Sequence, residues 1–113
     1  MNRDLSSLRV DVPRKYNAAQ HFVDRHLDVG HGERLAFVQN ESQHTYADFV
    51  DRVGRTSAAL ATLGVDREQR VLVCMLDTLE FAAVFWGAIR IGAVPVPVNT
   101  LLTGSDYDYM LRD

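Results

Sequence analysis

Apolar positions along this chain switch between a helical and a strand-like rhythm. Residues 1–16 have no periodicity, and with Pro13, Arg14 and Lys15 they predict an extended, solvated lead-in. From Asn17, the positions Ala19, Phe22, Val23 and Leu27 return on one helical face. Asn17 is a good N-cap, Gln20 stands three residues on as in a capping box, and Gly30 and Gly32 close the helix. Leu35-Ala36-Phe37-Val38 reads as a strand, Asn40 to Gln43 as polar turn material, and His44-Thr45-Tyr46 as the returning arm of a hairpin. A long helix follows, with Thr45 as N-cap and Asp48 as its partner. Its buried stripe is Phe49, Val50, Val53, Leu60 and Leu63. Asp48 with Arg52 and Asp51 with Arg55 are acid-before-base pairs, Ala58, Ala59 and Ala61 add propensity, and Gly64 caps the C-terminus.

The second half reads as a parallel strand–helix–strand unit. Val71 to Leu76 is continuously apolar, as in a strand covered on both faces. Asp77 or Thr78 caps a helix to about Ile91 that is apolar nearly all round, through Leu79, Phe81, Val84, Phe85, Trp86, Ile89 and Ile91. Such a helix needs cover on more than one side. Gly87 allows close packing and Gly92 ends the helix. Ala93 to Val98 is a second strand despite Pro95 and Pro97. The prolines are two apart, so their missing N–H groups fall on one side, and Val94, Val96 and Val98 can donate on the other. The helix between would be a right-handed crossover. Thr103 or Ser105 opens a last helix with Asp106, Tyr107, Tyr109, Met110 and Leu111. The expectation is an α/β fold: a short helix and hairpin, then a parallel βαβ unit. This unit and its apolar helix ask for more partners than the chain supplies. Residues 17–113 therefore read as an incomplete subdomain of something larger.

Composition narrows the function classes. The chain has 113 residues, 47% hydrophobic and 24% charged, which fits an ordinary globular domain. Twelve basic and fifteen acidic side chains give 12 − 15 = −3, and the signs are interspersed. No basic face for nucleic acid is visible. The N-terminal residues lack the apolar core of a secretory signal, and Phe81 to Ile89 is too short to span a bilayer. A cytoplasmic protein without nucleic-acid or membrane partners is expected.

Candidate chemistry is sparse. Cys74, the single cysteine, reads as a buried inert thiol in its apolar run. His21, His26, His31 and His44 read as surface residues, since spacings of five do not align metal ligands on a helix. Gly30-His31-Gly32 reads as a turn, not a phosphate loop. Asp77 and Thr78, and Asn99 and Thr100, follow the two parallel strands, where open α/β sheets bind ligands. The simpler expectation is capping by Asp77 with Glu80 as partner, and turn chemistry at Asn99-Thr100.

Two strings go further. His44-Thr45-Tyr46-Ala47-Asp48-Phe49 resembles the first core motif of adenylate-forming enzymes, L-T-Y-x-E-L. Ile89 to Asn99 resembles their second, an L-K-A-G-A-x-x-V-P-L-like string ending in Asp or Asn. Gly64-Val65, Arg70-Val71 and Glu80-Phe81 fall between them in family order. The resemblance covers residues 17–113. Within the superfamily the chain resembles benzoate-CoA ligases most, through Asn17-Ala18-Ala19, Phe22 to His26, Cys74 to Thr78 and Pro97 to Thr103. Asn99-Thr100 stands where many members have Asn-Pro, which favours the aryl-CoA ligase group.

The resemblance implies a two-step reaction. A carboxylate attacks the α-phosphorus of ATP-Mg, giving an acyl-adenylate and pyrophosphate, and the CoA thiol then displaces AMP. Benzoate, ATP and CoA would yield benzoyl-CoA, AMP and pyrophosphate. The family's phosphate loop, aryl pocket, ribose-binding acid and catalytic Lys match nothing in these 113 residues, so no catalytic, cofactor-binding or metal residue is assigned. ATP, Mg2+, CoA and a small aromatic acid would be partners of the intact enzyme, with this portion inactive alone. Thr45 would cap, Tyr46 and Phe49 pack, Gly92 to Val98 build the sheet, and Asn99 to Thr103 border the thiol channel. The alternatives are a ligase for hydroxybenzoate, cinnamate or a medium-chain fatty acid, or a stand-alone non-catalytic α/β binding module.

Overall fold

A computed structural model describes residues 10–113. The expected lead-in over residues 1–16 therefore lies partly outside the described residues; from Val10 to Tyr16 the chain is exposed and without helix or strand. The elements then run as a π-helical turn Gln20–Asp24 continuing into α1 (Arg25–Asp28), β1 (Leu35–Gln39), β2 (Ser42–Thr45), α2 (Tyr46–Thr62), β3 (Arg70–Val73), α3 (Leu79–Arg90), β4 (Val94–Pro97) and α4 (Gly104–Arg112). The strands form an antiparallel β1–β2 hairpin and a parallel β3–β4 pair. The α/β architecture read from the pattern is present.

Asn17 caps the first helix, as its side-chain oxygen accepts from the N–H of Ala19 at 2.9 Å and Gln20 at 3.4 Å. Its amide nitrogen does a second job, donating to the carbonyls of Ile89 at 2.9 Å and Arg90 at 3.3 Å at the end of α3. One side chain thus bonds backbone groups at two helix termini. Asn17→Asp keeps the acceptor but removes both donated bonds and sets a carboxylate against the negative end of α3. It is expected to cost about 1–3 kcal/mol, although Asn and Asp are equivalent as isolated caps. Urea unfolding of the two proteins checks this; equal stability would show that the bonds to α3 contribute nothing.

The expected apolar face of this first helix is corrected. Ala19 and Val23 are buried, but Phe22 is 53% exposed and Leu27 is exposed. The wider π-turn over Gln20–Asp24 shifts the helical phase and carries Phe22 off the core, so its ring lies against His21 and Trp86. Gly30, at φ +79°, ends the helix: its N–H donates to Leu27 and that of His31 to His26, the paired bonds of a Schellman motif. Gly64 after α2 and Gly92 after α3 repeat the arrangement, at φ +89° and +81°.

The hairpin turn is shorter than expected. Only Asn40 and Glu41 form it, Asn40 at φ +54°, while Ser42 and Gln43 are already in β2 and Tyr46 is already in α2. Asn tolerates the left-handed conformation, so two residues suffice.

At the start of α2 nearly every orphan donor is accounted for. Tyr46 N–H donates to Arg34, Ala47 N–H to Gly32, and Asp48 N–H to the Thr45 hydroxyl, while the Asp48 carboxylate accepts from Thr45 N–H. The bonds from Thr45 hold the Asp48 carboxyl below its ordinary value of 3.8. A depressed carboxylate contributes stability above its unfolded pKa and loses it as pH falls through the lower folded one. The stability difference between the native chain and Asp48→Asn should therefore be full at neutral pH and shrink only as the pH falls below the ordinary aspartate range. Urea titrations at stepped pH measure it; a difference that grows on acidification would overturn the assignment.

The stripe of α2 needs two corrections. Phe49 and Val53 are buried, but Leu63 is 80% exposed. It lies after the last helical turn, beyond the reach of α3. Ser57 occupies the buried line instead, and its hydroxyl donates to the Gly87 carbonyl at 2.9 Å. That bond removes the penalty of burying a hydroxyl. Arg55 pairs with Asp51 as expected, whereas Arg52 reaches across to Glu80 of α3 at 3.0 Å.

On α3, Thr78 is the cap, not Asp77: its hydroxyl accepts from Phe81 N–H, and Gln39 of β1 accepts from Leu79 N–H at 2.8 Å. The fully buried line is Leu79, Ala83, Gly87 and Ala88, mostly small residues that let α2 approach. A Cβ on Gly87 would meet Thr56 at 3.2 Å and the Ser57 nitrogen at 3.3 Å. The larger residues Phe81, Val84, Phe85, Trp86 and Ile89 are half-buried. The core cluster is Val23, Phe49, Val53 and Leu79, flanked by Ala36, Phe37, Val50, Ala82 and Trp86.

β3 and β4 pair in parallel, Arg70 opposite Val94 and Val73 opposite Pro97. Val94 N–H donates to Gln69 and Val98 N–H to Val73, so Pro95 and Pro97 put their donorless nitrogens on the outer side, as their spacing predicts. β3 stops at Val73, so the expected strand to Leu76 is too long. Cys74 is exposed, which corrects the expectation of a buried thiol. The register ends at Val73 opposite Pro97, with a last bond from Val98 N–H to the Val73 carbonyl.

Candidate functional site

The carboxyl ends of the parallel strands, where an open α/β sheet presents its ligand-binding edge, set Cys74 beside a turn and the helix that follows it from later in the chain. Cys74 leaves β3, the turn Asn99 to Leu102 leaves β4, and Tyr107 comes from α4. α4 starts at a Thr103 capping box, whose hydroxyl accepts from Asp106 N–H while the Asp106 carboxylate accepts from Thr103 N–H and from the hydroxyl. The same bonds depress the Asp106 carboxyl below its ordinary value. This cap aims Tyr107 back at the turn. The Tyr107 hydroxyl donates to the Asn99 carbonyl at 2.6 Å and accepts from Leu102 N–H at 3.2 Å. The Asn99 side chain accepts from Leu101 N–H at 2.9 Å. The Tyr107 pKa is raised, first by a hydrogen bond with the Cys74 side chain and then by burial.

Thr78 caps α3, and Asp77 stands exposed just before it. Asn99 and Thr100 do stand at the strand end, and Asn99 serves the turn chemistry expected of it. Tyr107 was read only as a helix residue. Its bonds span only five and eight residues, but no capping or turn rule marks a phenol as the closure of the turn before it.

The histidines are half-buried instead of simply on the surface. The Gly30 turn folds His31 back to His26, with ring centres 6.2 Å apart, and His26 stacks on Tyr46 at 4.1 Å. Burial lowers the His31 pKa, with help from Arg34, His26 and Arg25. No group of three or more His, Cys, Asp or Glu suited to a metal occurs among the described residues. Gly30-His31-Gly32 is a turn, and the Gly32 carbonyl accepts from Ala47 N–H.

Helix N-termini are ready anion sites when their N–H groups are open. Here the starts of α2, α3 and α4 are bonded within the chain, to Thr45, Gly32 and Arg34, to Thr78 and Gln39, and to Thr103. A groove of about 670 Å³ runs along Arg70, Leu72, Val96, Met110 and Leu111, and its lining includes none of Cys74, Asn99 and Tyr107. No helix among the described residues is long and apolar enough to cross a membrane.

Residues 24–113 match the AMP-binding enzyme family. The chain belongs to that family. In this AMP-binding chain the two core motifs have structural duties that the geometry makes plain: the first is the end of β2 with the α2 cap, and the second runs from the end of α3 through β4. The chain is 44% identical to a benzoate–CoA ligase of Thauera aromatica over 92% of its own length and 20% of that ligase. It is 45% identical to a 4-hydroxybenzoate–CoA/benzoate–CoA ligase of Rhodopseudomonas palustris, over 88% of this chain and 19% of that one. Among solved structures, an anthranilate CoA ligase in complex with anthranoyl-AMP superposes with a TM-score of 0.83 at 31% identity, covering 89% of this chain and 19% of the other. A benzoate CoA ligase from Burkholderia xenovorans LB400 gives 0.80 at 38% identity, covering 87% and 20%. The AMP-binding chain thus spans about a fifth of the length of the curated relatives it matches.

Proposed function

We propose that this chain works as the N-terminal portion of an ATP-dependent aryl-CoA ligase that joins benzoate to CoA through a benzoyl-adenylate. The observation that carries the proposal is the identity to two ligases named for benzoate, held across most of the chain. In this reading the reaction uses ATP as its magnesium complex, releases pyrophosphate on adenylate formation, and releases AMP when the CoA thiol attacks the acyl carbon. A cytoplasmic location is part of the proposal. Residues 17–113 would form an incomplete subdomain that supplies one flank of the sheet, with the groups that neutralise phosphate charge outside these residues. The half-buried aromatic flank of α3 and the exposed Leu76 and Leu111 support that reading, since such surface is normally covered.

The test is an assay of the intact protein with ATP, CoA and a panel of benzoate, hydroxybenzoates, cinnamate and a medium-chain fatty acid, following acyl-CoA and AMP. Benzoate should give the highest kcat/KM. Preference for another acid would overturn the substrate assignment, and absence of any acyl-CoA would overturn the ligase assignment. Residues 1–113 alone should form none.

A further inference from the structure

A β-turn is ordinarily closed by a bond between its first carbonyl and its fourth N–H. In the turn after β4 those groups are the Asn99 carbonyl and the Leu102 N–H, and both are bonded to the Tyr107 hydroxyl, at 2.6 and 3.2 Å. The phenol is therefore a clasp supplied from α4. Its ring is held by a helix whose own start is fixed by the Thr103–Asp106 capping box, one residue beyond the turn. The Cys74 side chain, leaving β3, lies near enough to this hydroxyl to raise its pKa. One oxygen thus ties the exit of β4 to α4.

What the clasp holds in place is exposed. Asn99 and Thr100 are open to solvent, and Leu101 is 88% exposed at the tip. A turn built from outward-facing residues gains little from packing, so its shape depends on these few hydrogen bonds. It stands at the carboxyl edge of a parallel pair, where ligands of open α/β sheets bind.

We propose that Tyr107 is a positioning residue of the ligase, fixing through its hydroxyl the Asn99–Leu102 turn at the edge of the substrate site. The inference rests on the ligase reading above. It assigns Tyr107 no contact with substrate; the residue acts through the turn.

The test uses the intact protein and Tyr107→Phe, which keeps the ring and removes only the clasp. Hydrogen exchange at the amides of residues 100–102 should accelerate tenfold or more, with little change elsewhere. The KM of at least one of the carboxylate, ATP and CoA should rise threefold or more, with kcat changed less and the melting temperature nearly unchanged. Wild-type exchange in the turn overturns the inference, and so do kinetic constants all within twofold of wild type. A uniform fall in activity that follows the melting temperature also overturns it, since that marks a purely structural role. The two readings fail differently. A wild-type protein that forms no acyl-CoA sinks the ligase assignment, and with it the positioning role, whereas an active wild type matched by Tyr107→Phe sinks the positioning role alone.

Discussion

Gly87→Val is expected to separate α2 from α3 and to destabilise the chain by about 3 kcal/mol, the upper range for overpacking a tight contact. Even a first added carbon would lie 3.2 Å from the Thr56 side chain and 3.3 Å from the Ser57 backbone nitrogen. The backbone nitrogen cannot step aside without moving α2 itself. Relief by separating the helices would stretch the bond from the Ser57 hydroxyl to the Gly87 carbonyl, leaving buried polar groups without partners. Gly54→Ala is the control. There the new carbon would meet only the end of the Arg90 side chain, at 3.0 Å, which can swing away. Relief of the helical glycine, worth about 1 kcal/mol, should leave that variant near wild type. Urea unfolding of both variants checks the pair; equal stabilities would show that close approach at Gly87 is not what holds the helices together.

Phe49→Ala is expected to cost about 3–5 kcal/mol, the usual range for removing a buried aromatic ring. Phe49 is 3% exposed, belongs to the cluster with Val23, Val53 and Leu79, and meets Phe37 with ring centres 4.6 Å apart. Its loss opens a hole where the first helix, the hairpin, α2 and α3 converge. Stabilities of small domains are of the same order, so the variant should lose its cooperative transition. Leu63→Ala, on the same apolar line by sequence, should change stability by less than about 0.5 kcal/mol, because Leu63 already faces solvent. A thermal scan of the two variants distinguishes a helix face defined by the fold from one defined by periodicity. Similar losses in both would contradict the difference in burial between Phe49 and Leu63.

What could be read in advance was whatever the chain decides locally. Thr45 with Asp48 and Gly64 announced the limits of α2, and Pro95 and Pro97, two apart, announced which side of β4 could donate. Where the reading failed, the deciding partner was distant. Ser57 looks like a polar residue on a helix face until Gly87, thirty residues on, offers its carbonyl. Gln39 looks like the end of a strand, yet it accepts from the first N–H of α3. The run from Val71 to Leu76 has no internal phase, so only the register with β4 could show that pairing ends at Val73 and leaves Cys74 outside. At the strand exits, Asn99 was identifiable as a turn residue, while the Tyr107 clasp, only eight residues on, follows no capping or turn rule that the sequence could signal. The family motifs were legible for a different reason: they encode a cap and a strand, which are local.

The two prolines of β4 make the parallel pair a one-way template. Strand addition normally exchanges amide hydrogens in both directions. Along the outer rim of β4 a newcomer would find carbonyl oxygens at Pro95 and Pro97 but no amide hydrogen to receive, so recruitment there is handicapped. Alternation along β3 turns Arg70 and Leu72 the other way, with both kinds of group available. Growth of this sheet, by intramolecular folding or by an unwanted encounter between molecules, is therefore biased toward the β3 rim. The same pair of rings that costs β4 its donors protects one border of the sheet from mispairing.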